Sequence, residues 1–103
     1  MSRRTTPSAD VEVDRARHRA SRGERDLALT PREFRLLAYL LERPDEVVTR
    51  IELLENVWDM SFDPGTNVVD VHVSNLRRKL EEGGGPRVLH TVRGIGFSLR
   101  AAV

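Results

Sequence analysis

The sequence predicts an α+β domain in which a small N-terminal antiparallel sheet leads into three core helices and a C-terminal β-hairpin. Three observations carry this. Thr30 and Thr49 each open a helix-start signature followed by an apolar face. Between Thr66 and Glu82, Val69, Val73, Leu76 and Leu80 recur at intervals of four, three and four, which lines them along one side of a helix. After Pro86, two apolar arms flank Gly94-Ile95-Gly96. With 103 residues there is room for one small domain and a modest core.

Taken in order, residues 1–10 are polar and without hydrophobic period, and read as a flexible tail or linker before a domain spanning 11–100; residues 101–103 read as a C-terminal tail. From Val11 to Thr30 there are short alternating pieces: Val11 and Val13, a weak segment at Arg17 to Ser21, and Leu27 and Leu29 after the turn-like Arg22-Gly23-Glu24. They predict three short antiparallel strands, with Leu27 and Leu29 turned to the core.

Thr30-Pro31-Arg32-Glu33 can form a capping box with Pro in the first turn. The helix it starts places Phe34, Leu37, Ala38 and Leu41 on one face, Leu40 at its border, and ends before Pro44. A second box at Thr49 and Glu52 launches a helix whose apolar side is expected at Ile51, Leu54 and the Val57/Trp58 pair. Arg50, in its first position, is placed to anchor a phosphate. A loop with a Pro-Gly turn, Asp59 to Gly65, holds Phe62 at its middle. The third helix must stop at Gly83-Gly84-Gly85-Pro86. In the hairpin, Val88, Leu89 and Val92 lie on one arm and Phe97 and Leu99 on the other, with Arg93 projecting at the turn. Such a hairpin after three helices is a wing, and the whole is a winged-helix arrangement.

Composition excludes more than it identifies. Seventeen basic and sixteen acidic residues leave a formal net charge of +1, so overall charge does not announce a polyanion binder. Distribution says more: residues 31–66 hold eight acidic and four basic side chains, residues 67–103 three acidic and six basic. Absence of Cys excludes disulfides and thiolate metal sites and fits a reducing cytoplasm. No apolar stretch reaches membrane-span length, and no signal-peptide core opens the chain. The three scattered histidines form no metal cluster, and no nucleophile-base-orienter set appears. Neither an enzyme nor a cofactor or metal site is expected.

The third helix carries Asn67, Asp70, His72, Ser74, Asn75, Arg77, Arg78 and Lys79 around its Val and Leu stripe. A helix anchored on one side and polar on the other is what major-groove entry requires. Asn75 can pair in a bidentate fashion with adenine, and Ser74 with a base or a phosphate, although both can equally be solvated surface. Arg77 and Arg78 are about 100 degrees apart on the helix, so they cannot both face one duplex optimally. Arg78 can pair with an acid instead. Asp70, repelled by phosphate, reads as structural, with an Arg as its natural partner, and Trp58 either approaches the backbone through its indole or closes the core.

Three blocks, LTPREFRLLAYLLERPDEVVTRIELLENVW, NVVDVHVSNLRRKL and HTVRGIGFSL, resemble the C-terminal effector domain of OmpR/PhoB-type response regulators over about residues 11–100. The resemblance implies a fourth N-terminal strand and sequence-specific binding of double-stranded DNA by a two-component transcriptional regulator. It also implies a loop, Asp59 to Thr66, able to meet RNA polymerase, and a receiver domain in the full-length protein. Residue by residue, it implies DNA-contact positions at Arg50, Trp58, Asn67, Val68, Val71, His72, Ser74, Asn75 and Arg77, with Thr91, Arg93 and Phe97 in the wing. Arg78 joins them from the helix chemistry. More than one copy on repeated half-sites, from a domain monomeric in isolation, is implied too.

The departures are specific. Asn67-Val68 stands where the family often has Arg-Thr, Ser74 and Asn75 replace residues that are often basic, and Phe97 replaces the common Tyr. Fewer charged contacts predict a shallower salt dependence. The rival reading is a winged-helix protein-interaction module with reduced or lost DNA binding.

Overall fold

The computed structural model describes residues 4–5, 11–61 and 64–100. Among the described residues, seven strands and three helices run in the predicted order with one unpredicted strand inserted between the first two helices: β1 Arg4–Thr5, β2 Val11–Asp14, β3 Arg19–Arg22, β4 Arg25–Leu27, α1 Pro31–Leu41, β5 Val48–Thr49, α2 Arg50–Asn56, α3 Val68–Glu81, β6 Leu89–Val92 and β7 Gly96–Leu99. The first four form an antiparallel sheet in sequential order, and β5, β7 and β6 form a second sheet in that order. The strand that the resemblance added is β1, paired with Val13 and Glu12. It lies inside the stretch read as a tail, whose other residues are outside the described set. The middle strand, weakly marked at 17–21, is centred slightly later.

α1 begins as its sequence requires. Glu33 donates its amide to Thr30 Oγ1 at 3.2 Å, and its carboxylate accepts from the Thr30 amide at 3.0 Å. Its buried face is wider than the predicted stripe, because Leu36 and Leu40 are fully buried beside Phe34, Leu37, Ala38 and Leu41. At Thr49 only half of the second box closes: the Glu52 amide donates to Thr49 Oγ1 at 3.1 Å. The Glu52 carboxylate is occupied elsewhere, accepting from the Tyr39 hydroxyl at 2.5 Å. Burial and that carboxylate push the Tyr39 phenol up to about 12, so α1 and α2 are tied by a proton that stays on the tyrosine.

The apolar side of α2 differs from expectation. Ile51 is exposed and Leu53, Leu54 and Val57 are buried. The cause is β5, a two-residue strand the sequence did not announce. By pairing Val48 with Phe97 and Thr49 with Gly96, it fixes the entry of α2 and turns Ile51 outward. Gly96 permits this pairing: a Cβ there would lie 2.0 Å from the Val48 carbonyl oxygen. In the hairpin Gly94 adopts φ 76°, a conformation L side chains rarely take, while Gly96 belongs to β7 and pairs with Val92.

α3 buries Val69, Val73, Leu76 and Leu80, as the four-three-four spacing predicts. Its C-terminal end is held by two arginines from the first sheet. Arg22, 6% exposed, donates to the Leu80 carbonyl at 2.9 Å and the Pro86 carbonyl at 2.6 Å. Arg25 donates to the Lys79 and Leu80 carbonyls, each at 3.0 Å. These carbonyls lack helical partners, and a positive charge there also complements the helix dipole. Gly83 and Gly85 are part of the arrangement, since a Cβ on either would meet the Arg25 or Arg22 guanidinium at 2.5 or 2.8 Å.

Candidate nucleic-acid interface

With one face of α3 in the core and its last turn capped, the opposite face is held rigidly outward. Asn67, Val71, Ser74, Arg78 and Glu82 form its most exposed line, and His72, Asn75 and Arg77 flank that line half-buried. Val71 is 45% exposed, an apolar side chain offered to solvent from a well-anchored helix. Val68 does not share this line: it is half-buried against the core, and its carbonyl lies 2.9 Å from His72 Nδ1. His72 also meets the Trp58 ring edge-on, with centroids 5.2 Å apart. The Arg32 guanidinium lies 5.5 Å from the Trp58 centroid and donates to the Val57 carbonyl. Trp58 is thus both half-buried and framed by a cation and an imidazole. Arg32 was not among the candidates, because its link to Trp58 crosses from the start of one helix to the end of another.

The arginines are placed by partners. Arg50 reaches Asp70 through Nη2 at 2.7 Å and Nε at 3.1 and 3.3 Å, with its guanidinium carbon 5.1 Å from the Phe97 ring centroid. Asp70 therefore has the arginine partner expected of it. Arg77 donates from Nε to the Leu89 carbonyl at 2.9 Å and from Nη2 to Thr91 Oγ1 at 2.7 Å. It stitches α3 to the first wing strand. Burial, with the positive charge of Arg87 nearby, lowers the pKa of Arg77, and Glu81 offsets part of the effect. Arg78 pairs with Glu82 at 3.4 Å, one helical turn away.

The wing lies alongside. Thr91 and Phe97 are cross-strand partners. Arg50 stands over the ring of one and Arg77 bonds the hydroxyl of the other, which brings both arginines to the seam between α3 and the wing. Arg93, exposed, is two residues further along the hairpin. Phe97 itself is 2% exposed. Its side chain has no surface to present to a duplex, and what the position supplies is a platform for Arg50.

A profile of the family described as "Transcriptional regulatory protein, C terminal" matches residues 23–99. The chain belongs to that family, the winged-helix effector domains of OmpR/PhoB-type response regulators. It is 54% identical over 99 residues to the transcriptional regulatory protein PrrA of Mycobacterium tuberculosis, covering 96% of this chain and 42% of PrrA. Over 110 residues it is 42% identical to the response regulator MprA of Mycobacterium avium, covering 97% of this chain and 48% of MprA. The chain thus spans less than half the length of these relatives. Among solved structures, the DNA-binding domain of CpxR from Escherichia coli matches at TM-score 0.81 and 31% identity over the whole of both chains. The Klebsiella pneumoniae RstA DNA-binding domain, solved in complex with the RstA box, matches at TM-score 0.83 and 26% identity, over 97% of this chain and 98% of that one.

Among the described residues of this effector domain, no group of His, Cys, Asp or Glu is arranged to hold a metal ion, and no helix is long and apolar enough to cross a membrane. In the loop after α2, Met60 donates its amide to the Leu54 carbonyl at 2.9 Å, and Asp59 receives Arg35 at 3.4 Å. Phe62 lies outside the described residues.

Proposed function

We propose that this effector domain binds double-stranded DNA in a sequence-specific manner, with α3 in a major groove and the wing on the adjacent minor groove or backbone. The observation that carries the reading is the exposed line Asn67, Val71, Ser74 and Arg78 on a helix whose other face is buried and whose end is capped. Amide, hydroxyl and methyl groups on a rigid support are the groups that read base edges. Asn75 pairs with adenine, Val71 meets a thymine methyl and Ser74 bonds a base or phosphate. Arg50, Arg77 and Arg93 face phosphates, Arg78 sits at the edge of the contact beside Glu82, and Thr91, His72, Trp58 and Asn67 complete the surface. Val68 contributes through its backbone and packing. In the full-length protein a receiver domain controls the module, copies bind repeated half-sites, and the loop Asp59 to Thr66 meets RNA polymerase.

Likeness to RstA, whose structure contains its DNA box, supports the reading. Selection from a random duplex library, followed by titration of the enriched duplex and a scrambled one, tests it. The wild-type domain enriches a repeated motif. Asn75→Ala weakens the enriched duplex by about 1–3 kcal/mol while hardly changing the scrambled one, whereas Arg93→Ala weakens both. A wild-type domain that prefers no duplex at low salt would return the fold to the rival reading, a protein-interaction module.

A further inference from the structure

The last turns of α3 and the segment entering β6 enclose an open depression of about 390 Å³, lined by Ser74, Arg77, Arg78, Glu81, Glu82 and Arg87. Three arginines, two glutamates and a serine thus share one depression. The assigned contact positions stop at Arg78 on the helix and resume at Thr91 in the wing, so Arg87 belongs to neither set. Its backbone is nevertheless held on both sides. Arg22 bonds the carbonyl of Pro86 just before it at 2.6 Å, and Val88 just after it is fully buried, its carbonyl accepting from the Arg100 amide at 2.8 Å. Anchoring on both sides spares a ligand contact at Arg87 the backbone part of the ordering entropy.

Arg87 faces Glu81, with Nε 2.9 Å from Oε2 and Nη2 3.5 Å from Oε1. Arg78 makes a single, longer contact to Glu82 at 3.4 Å. The Arg87 side chain is 55% exposed, so the pair is screened by water and weak. It is an exchangeable partner. Arg77 lines the same depression, close enough for the Arg87 charge to act on it.

We infer that Arg87, with Arg77 and Ser74 beside it, is a backbone-phosphate site of the DNA interface, and that Glu81 occupies it as an internal competitor until a phosphate displaces it. The inference rests on the DNA-binding reading above and adds to it a residue and a built-in brake. A phosphodiester offers the guanidinium a charged, two-oxygen acceptor like the carboxylate it replaces. Because the contact is to the backbone, its contribution is the same for every duplex sequence. Lowering the charge of Glu81 should therefore strengthen binding generally, without changing which sequence is preferred.

The test measures affinity against salt concentration for the enriched and scrambled duplexes, using wild type, Arg87→Ala, Arg87→Lys, Glu81→Gln and the double variant Glu81→Gln/Arg87→Ala. Arg87→Ala lowers the slope of log K against log salt by about one and weakens both duplexes alike, about three- to tenfold at moderate salt. Arg87→Lys restores most of the slope. Glu81→Gln tightens both duplexes up to about fivefold, a gain that disappears in the double variant. If wild type binds with a clear salt slope and Arg87→Ala changes neither slope nor affinity, the phosphate site is overturned while the DNA-binding reading stands. A gain from Glu81→Gln that persists without Arg87 would overturn the competitor role. Should wild type bind no duplex, the underlying reading falls with it. Glu81→Gln leaves Arg87 in place, so its result stands even if Arg87→Ala lowers the melting temperature.

Discussion

Glu33 is 4% exposed, yet it is held as a carboxylate. Burial alone pushes its pKa up. The hydrogen bond from Lys79 Nζ at 2.7 Å, the Thr30 amide and the ammonium charge outweigh burial and hold it below the ordinary 4.5. The folded state therefore binds that proton less readily than the unfolded chain. The resulting stabilisation is fully present above about pH 4.5 and is lost as pH falls through the folded value. Glu33→Gln should be about 1–2 kcal/mol less stable than wild type at neutral pH, with the gap narrowing as pH falls below about 4.5. Urea unfolding at several pH values checks this; a gap that stays constant would show that the carboxylate charge is not what stabilises. The capping role of Glu33 was legible in Thr30-Pro31-Arg32-Glu33, because cap and partner are three residues apart. The Lys79 partner was not, being 46 residues away.

The same contrast holds for whole elements. α1 and α3 were readable because their apolar spacing and end signals are local, and the valine and leucine positions of α3 came out as its period predicts. α2, with seven residues, is too short for its period to distinguish Ile51 from Leu53, and the choice was made by β5 through a pairing across the fold. The glycines after α3 predicted where the helix stops. They did not reveal that Arg22 and Arg25 fill the space a side chain would occupy. Arg22 is the stronger of these caps because it is buried and satisfies carbonyls on both α3 and the following segment. Arg22→Met should destabilise the domain by about 2–3 kcal/mol, the range for hydrogen bonds from a buried charged donor; Arg25 still serves the Leu80 carbonyl, and the Pro86 carbonyl loses its donor. Arg25→Met, at a half-buried site, should cost about 1 kcal/mol. Hydrogen exchange locates the effect: faster exchange of amides in the last turn of α3 and in residues 83–88 is expected for Arg22→Met. Uniform acceleration through the whole domain would mean that the arginine supports the core rather than the helix end.

At the scale of the whole domain, the wing, α3 and the first sheet act as one body because arginines join them in pairs: Arg77 links α3 to β6, and Arg22 and Arg25 link α3 to the first sheet. Exposure follows helical phase at Asn67, Val71, Ser74 and Arg78. It departs where packing intervenes, as at Phe97 and Val68. The domain measures 37 × 30 × 21 Å. One turn of duplex DNA advances about 34–36 Å, so two copies on half-sites one turn apart, with their 37 Å axes along the duplex, would stand side by side with little space between them. Each would contact the next without any change of fold. Cooperative binding then depends on helical phase. Titration of a one-turn repeat should show two copies per duplex, the second binding on the order of tenfold tighter than to a single half-site. Inserting about half a turn between the half-sites places the copies on opposite faces of the DNA and should remove that advantage while leaving single-site affinity intact. Equal cooperativity at both spacings would instead require coupling through the DNA or through a pre-formed dimer. Sedimentation of the free domain separates those two, since a domain that associates only on DNA runs as a monomer.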